Sequence, residues 1–247
     1  MIETLLVDGD IVAYRCAAAT ANDTEAIAVW QTSEMMTRIL HETNAISFKC
    51  FLSGSTNFRY GIYPDYKANR RDMPKPVHLQ AVRSHLVSEW NSSVTDGVEA
   101  DDAMGIEQVQ SNDNSTMIAS IDKDMLMIPG HHYNFVKHEF SMVSPLEGLR
   151  NFYKQLIMGD RSDNIPGYDG KMRIKVPQFL QPDMEYIDSY TNEWDIFSHV
   201  RDMYNNDEKL LLSGQCLWIY RKEEDTWKFP LDPKEGTSPT GLDGSTT

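Results

Sequence analysis

Two short apolar runs that break off into acids constrain this chain of 247 residues more than any other feature. The first is Thr4-Leu5-Leu6-Val7, ending in Asp8-Gly9-Asp10; the second is Met117-Ile118-Ala119-Ser120-Ile121, ending in Asp122-Lys123-Asp124. Runs this short and this apolar read as strands buried in a parallel sheet. Ligands of open α/β sheets bind beyond the carboxyl ends of such strands, so acids placed there stand where chemistry is done. Residues two apart in an extended segment point the same way, which pairs Asp122 with Asp124.

Between and after these runs the pattern alternates with helices. Residues 11–19 and 25–41 are helix-like, the second offering Ile27, Met35, Ile39 and Leu40 as a buried face. Residues 46–52 alternate as a further strand, giving β-α-α-β order, and residues 77–90 form an amphipathic helix. Residues 132–136 and 139–143 read as edge strands or a hairpin, and residues 145–158 as a helix. Residues 194–204 and 207–220 read as two more helices whose apolar residues serve a core. The fold class is therefore α/β, and 40% hydrophobic residues over this length suffice to bury a real core.

Two further acidic groups join the strand ends. Glu99-Ala100-Asp101-Asp102 opens a helix, where acids are favoured by the helix dipole even without a ligand; Glu99 and Asp102 share a face, with Asp101 about 100° away. Residues 158–167 read MGDRSDNIPG, and the spacing of Asp160 and Asp163 puts both on one side of a helical turn. Taken alone, those two would be ordinary loop residues. Four acidic groups together point to cations held between like charges.

The net charge of -14 argues against a polyanionic ligand at face value. Nine of the acids, Asp8, Asp10, Glu99, Asp101, Asp102, Asp122, Asp124, Asp160 and Asp163, would be largely offset if they shared bound cations. One stretch runs against the acidic average. Arg59, Lys67, Arg70, Arg71 and Lys75 interleave with Tyr60, Tyr63 and Tyr66, a composition that suits a nucleic-acid strand, with rings on bases and cations on phosphates.

Oxygen ligands without a Cys or His set select hard cations, Mg2+ or Mn2+. Two such ions would activate water and stabilise the leaving oxygen of a phosphodiester. The adjacent His131 and His132 have no partners at zinc spacing and fit the surface end of a strand. Cys16, Cys50 and Cys216 fit reduced thiols. With no P-loop and no G-x-S-x-G elbow, nucleotide-triphosphate hydrolysis and serine-hydrolase chemistry are disfavoured. Two alternatives stay open: a haloacid-dehalogenase-like phosphatase using Asp8 and Asp10, with Asp8 as nucleophile, and a non-catalytic protein that holds DNA without cutting it. The absence of a long apolar run or a signal-peptide pattern gives an expectation of a cytoplasmic protein without membrane contact.

In order along the chain, Val7-Asp8-Gly9-Asp10, residues 66–70 (YKANR), residues 99–102 (EADD), residues 120–124 (SIDKD) and residues 159–167 (GDRSDNIPG) resemble the flap endonuclease and 5′-3′ exonuclease family, including phage 5′-nucleases and the 5′-nuclease domain of bacterial DNA polymerase I. The resemblance covers residues 5–170, more loosely to 228. It implies a PIN-like parallel central sheet with helices on both faces, a helical arch and a helix-hairpin-helix-type C-terminal region. The corresponding divisions are 1–157 for the catalytic core, 158–230 for the DNA-binding helical region and 231–247 for a disordered tail.

The implied activity is metal-dependent cleavage of DNA with a free 5′ end, flap or nick, by a two-metal mechanism in phage-type replication. RNA-DNA hybrid is a further candidate substrate, and a replicative polymerase or single-strand-binding protein a candidate partner of a monomer. By position, Asp8, Glu99, Asp101, Asp102, Asp122, Asp124, Asp160 and Asp163 match the family's metal-site acids, with Glu99 acting on metal directly or through water. Lys67 and Arg70 match its basic pair at the scissile phosphate; together with Asp122 and Asp124 they form the catalytic set. Arg59, Tyr66, Arg71, Lys75, Gly167, Gly170, Lys171 and Arg173 complete the expected DNA contacts, with K+ a candidate ion at the hairpin.

Two departures from the family pattern stand out. Ser53-Gly54-Ser55 occupies the place where many relatives carry an Asp, leaving Asp10 as the candidate substitute. Residues 167–173 (GYDGKMR) also lack the usual hairpin glycines, so the duplex anchor is expected to be weaker or more salt-dependent.

Overall fold

The computed structural model describes residues 2–111 and 115–234. A six-stranded sheet organises the chain: β1 (Thr4–Asp8), β2 (Ser47–Leu52), β3 (Ser93–Val94), β4 (Thr116–Ala119), β5 (Gly130–Asn134) and β6 (Glu139–Val143), in the order β3-β2-β1-β4-β5-β6. The first five are parallel and β6 closes one edge antiparallel to β5. After β1 the chain builds outward through β2 and β3, then returns to place β4 on β1's other side. The order reverses between β1 and β4, which opens a crevice beyond their carboxyl ends.

Alternation along β1 explains how the sheet is covered. Leu5 and Val7 enter one buried cluster with Val12, Met36, Ile39, Val82 and Leu86. These come from α1 (Gly9–Ala19), α2 (Glu25–Thr43) and α4 (Leu79–Trp90). Leu6, pointing the other way, joins Phe51, Met104, Ile118 and Ile219 beneath α5 (Ala100–Gln110). Successive β-residues face opposite sides, so a run apolar at every position needs helices on both.

A third cluster lies around α6 (Pro145–Met158), whose start is set by Pro145 at its first position and a capping box between Ser144 and Glu147. Phe152, Leu156 and Ile157 pack with residues of α7 (Gln181–Ser189), α8 (Glu193–Tyr204) and α9 (Asp207–Leu217), joined by Trp218 and Trp227. The cluster thus spans both sides of residue 157.

Several sequence expectations are corrected here. The basic, tyrosine-rich stretch holds a four-residue helix, α3 (Arg59–Ile62), and a 3-10 turn at Ala68–Arg70. The acids at 160 and 163 sit in a hairpin-like turn between β7 (Gly159–Asp160) and β8 (Ile165–Pro166), not on a helix. Gly159, at φ 69, makes that reversal out of α6, a backbone region that side chains disfavour. His132 is buried, with Nε2 2.8 Å from the Ile128 carbonyl, and burial holds its pKa below the ordinary value. The three cysteines are buried and free. Of the tail expected to be disordered, residues 235–247 lie outside the described residues. No helix among the described residues is long and apolar enough to cross a membrane.

Candidate active site

A cleft of about 1040 Å³ opens at the β1/β4 crevice. Asp8, Asp10, Glu99, Asp101, Asp122, Asp124 and Asp163 line it together with Lys67, Arg70, Lys75 and Arg83. Most of the acids expected to share a site are thus brought to one cavity from β1, the α5 N-terminus, the loop after β4 and the β7-β8 turn.

Each acid is set by local structure. Asp8 ends β1 and caps α1: Oδ1 accepts from the Ile11 amide at 3.0 Å and Oδ2 from the Ser120 hydroxyl at 2.6 Å. Burial, reinforced by the charges of Asp10 and Asp122, nevertheless pushes its carboxyl up to about 7. Burial and the charges of Asp8, Asp122 and Glu99 likewise push Asp101 well above the carboxylate range. Asp124 rises to about 8 through burial and the charges of Asp122 and Asp160. The segment after β4 is not extended. Asp122 caps a 3-10 turn (Lys123–Met127) and accepts from the Asp124 amide at 2.9 Å, yet both acids still reach the cleft.

Several expected site residues are placed elsewhere. Asp102 is fully buried and faces away from the cleft in a two-pronged pair with Arg59, at 2.7 and 2.8 Å. Arg59 also donates to the carbonyls of Cys216 and Trp218, so it ties α3 to the chain after α9 and is closed to DNA. Tyr66 is 1% exposed, which removes it as a stacking platform. Its hydroxyl lies 2.7 Å from Glu99 Oε2 and 2.8 Å from Asp163 Oδ2. Its one hydroxyl hydrogen is donated to one of them at a time. Burial raises the Asp163 carboxyl against the Lys67 and Arg70 charges. Burial also acts to raise Glu99, but the Lys67 and Arg59 charges hold it below the usual range.

Asp160 is buried and does not line the cleft. Its Oδ1 accepts from the Ser162 and Asp163 amides at 2.6 and 2.9 Å, and Oδ2 from Gln155 at 2.9 Å. Burial tends to raise its pKa, but these bonds with the Ser162 hydroxyl keep it lowered. It shapes the turn that presents Asp163.

Lys67 sits in the left-handed region at φ 53, strain of about 1–3 kcal/mol that its surroundings must hold. Its amide donates to the Asp163 carbonyl at 3.0 Å and its ammonium pairs with Glu99, with Asp163 3.7 Å away. Although burial lowers it, those two acids raise the Lys67 pKa, so the ammonium stays charged. Arg70 reaches Asp163 Oδ1 at 2.8 Å.

Asp10 accepts from the Ser53 amide at 2.8 Å and pairs with Arg83, which also donates to the Ser53 carbonyl at 2.6 Å. It therefore reaches the Ser53 position already neutralised. Sequence reasoning overlooked Arg83, which reads simply as a polar position on an amphipathic helix. Ser120 was overlooked too, and its two-residue spacing from Asp122 was the available signal. Arg71 donates to the Pro64 carbonyl, while Lys75 faces the cleft. Gly167, Gly170, Lys171 and Arg173 lie outside the cleft, in the turn after β8.

Among the described residues, no three acid, imidazole or thiol side chains stand as a ready-made metal cage. The donor set nonetheless fits hard cations. The acids are oxygen-only, part-buried and mutually repelling, with Asp101 lacking a cationic partner, an arrangement that bound cations would relieve.

Sheet order, crevice and acid-lined cleft define a doubly wound α/β protein with a candidate phosphate-chemistry site. A family model described as the 5′-3′ exonuclease N-terminal resolvase-like domain matches residues 3–155, and the chain belongs to this family. A 5′-3′ exonuclease of Buchnera aphidicola subsp. Schizaphis graminum is 28% identical over 228 residues, covering 83% of this chain and 74% of the relative. Flap endonuclease Xni of Shewanella baltica strain OS185 is 26% identical, covering 69% of this chain and 71% of that protein. DNA polymerase I of Bacillus caldotenax is 26% identical over 67% of this chain, which spans only 22% of the polymerase. Among solved structures, T5 D15 protein co-crystallised with metal ions has a TM-score of 0.64 at 16% identity, covering 87% of this chain and 88% of that one. A T5 D15 flap endonuclease complex with DNA and metal ions has a TM-score of 0.62 at 15% identity, covering 87% of this chain and 88% of that one. Identities this low speak to the fold.

Proposed function

We propose that the protein is a divalent-metal-dependent nuclease that hydrolyses phosphodiesters of DNA bearing a free 5′ end or 5′ flap. The observation that carries this reading is the cleft itself: it gathers Asp8, Asp101, Asp122 and Asp124, buried or half-buried and mutually repelling, beside Lys67, Arg70 and Lys75. Asp8, Asp101, Asp122 and Asp124 would hold one or two ions, Mg2+ or Mn2+. Such ions supply Lewis-acid stabilisation of a phosphodiester and a water nucleophile at neutral pH.

The chain's own groups do the rest. Lys67 and Arg70, each paired to Asp163 or Glu99 in the free protein, exchange those carboxylates for phosphate oxygens as the strand enters. Tyr66 keeps Glu99 and Asp163 in place during that exchange. Ser120 and the Ile11 amide orient Asp8. In the net reaction, the phosphorus–oxygen bond to the leaving strand breaks. Water adds its hydroxyl to phosphorus, and its proton ends on the leaving oxygen.

Asp8 as the nucleophile of a phosphatase is disfavoured. That reading leaves Asp101, Asp122 and Asp124, which line the same cleft, without a part.

Incubation with a 5′-flap duplex, with and without magnesium, tests the proposal. Magnesium-dependent cleavage of flap, nick or duplex end is expected, with loss of cleavage but retained calcium-supported binding in Asp122→Asn. No metal-dependent cleavage of any of these substrates would sink the reading.

A further inference from the structure

The turn after β8 lies away from the catalytic acids and holds an unusual cation. Between Pro166 and Arg173 four backbone amides are engaged inside the protein. The Gly167 amide donates to the Lys171 carbonyl at 2.8 Å, the Gly170 amide to the Gly167 carbonyl at 3.0 Å, and the Arg173 amide to the Met158 carbonyl at 3.0 Å. The Lys171 amide donates to Asp169 Oδ1 at 3.2 Å, and Arg173 pairs with the same carboxylate. Amides spent in this way are not free to grip a phosphate.

Two carbonyls of the turn accept from α9. Lys209 Nζ donates to the Tyr168 carbonyl at 2.9 Å, and one helical turn later Ser213 Oγ lies 3.4 Å from the Pro166 carbonyl. Lys209 is half-buried, and its ammonium also lies 5.7 Å from the Tyr204 ring centre, over a face that favours a cation. Among the described residues Lys209 stands within ion-pair distance of no acid of its own helix or of the turn, where Asp169 is taken by Arg173. A positive charge is therefore held against carbonyl oxygens at the place where the sequence resemblance led us to expect K+.

A potassium ion at this turn does not fit these surroundings. It would need several carbonyl oxygens of the turn, and the Tyr168 carbonyl already carries the Lys209 ammonium, whose charge would repel a second cation there. We propose that Lys209 is the turn's own monovalent cation: its ammonium on the Tyr168 carbonyl fastens the 167–171 turn to α9 and makes the turn independent of dissolved potassium. Lys171 and Lys175, both exposed, then meet duplex phosphates through their side chains instead of through amides. This last step rests on the DNA-binding reading above; the fastening itself does not.

The test is done in sodium chloride and in potassium chloride at equal ionic strength, on the intact protein and on Lys209→Met and Lys209→Arg. Hydrogen exchange of the Gly167 and Gly170 amides reads the turn without DNA. The intact protein and Lys209→Arg should exchange alike in both salts. Lys209→Met should exchange roughly tenfold faster in sodium and recover partly in potassium or ammonium, since a hydrogen bond from a charged group is worth about one factor of ten or more. Circular dichroism establishes that each variant is folded.

Binding of a calcium-loaded 5′-flap duplex should follow the same pattern, with the loss in Lys209→Met reversed by potassium. Slower exchange or tighter DNA binding in potassium than in sodium for the intact protein would overturn the proposal, as would a Lys209→Met protein whose amides are unchanged. A turn that behaves as proposed in a protein that binds no DNA would instead overturn the nuclease reading and leave the fastening intact.

Discussion

Asp101 and Asp102 are neighbours in sequence and opposites in structure. Asp102 points inward and meets the forked guanidinium of Arg59 squarely, with the Tyr220 and Glu99 amides completing its bonds. Asp101 points into the cleft, where its neighbours are Asp8, Asp122 and Glu99 and its carboxyl is pushed up by burial and by their charges. A compensated acid holds the fold together. An uncompensated one stores repulsion that the fold tolerates only if something else relieves it. The difference separates the structural half of this acidic motif from the half proposed to hold metal, which residue type alone does not do.

The comparison breaks most easily at its structural end. Asp102→Ala takes away the two-pronged partner of the buried Arg59 guanidinium and leaves it only the more distant Glu99, and removing one partner of such a pair costs about 3–5 kcal/mol. A large fall in thermal midpoint is expected; a midpoint close to that of the unaltered protein would mean that the pair contributes nothing that water cannot replace.

At the functional end the expected effect is smaller and depends on pH. Asp8 and Asp124, raised from 3.8 to about 7 and about 8, bind protons more tightly when folded than when unfolded. Their contribution to stability is therefore full below the ordinary carboxylate value, declines as pH rises above it and is gone once pH passes their folded values. In the absence of divalent ions, stability should fall as pH climbs from about 4 to about 8, and Asp124→Asn should flatten that decline. An unchanged slope in the variant would show that Asp124 does not carry the repulsion assigned to it.

Much of the fold could be read from the chain because it rests on local patterns. The apolar runs at β1 and β4 and the Ser144-Pro145 start of α6 each carry their signal within a few residues. The cleft acids were legible as a group because strand ends and a helix start deliver them to one crevice. What was not legible depended on partners far away in sequence. Arg59 and Asp102 are 43 residues apart, and only packing brings them together. In the same way, burial turned Tyr66 from an expected base-stacking ring into a link between Glu99 and Asp163, and Arg83 into the counter-charge of Asp10. A polar residue in a sequence does not announce whether its charge will be met.

The most direct measurement of that distinction is the thermal midpoint in magnesium and in sodium of equal ionic strength, for the unaltered protein and for Asp101→Asn. The cleft reading predicts that magnesium raises the midpoint of the unaltered protein, since an ion that binds only the folded state stabilises it by mass action. It also predicts that Asp101→Asn is more stable than the unaltered protein without metal and gains much less from magnesium. A midpoint indifferent to magnesium in the unaltered protein, or an equal gain in the variant, would contradict it.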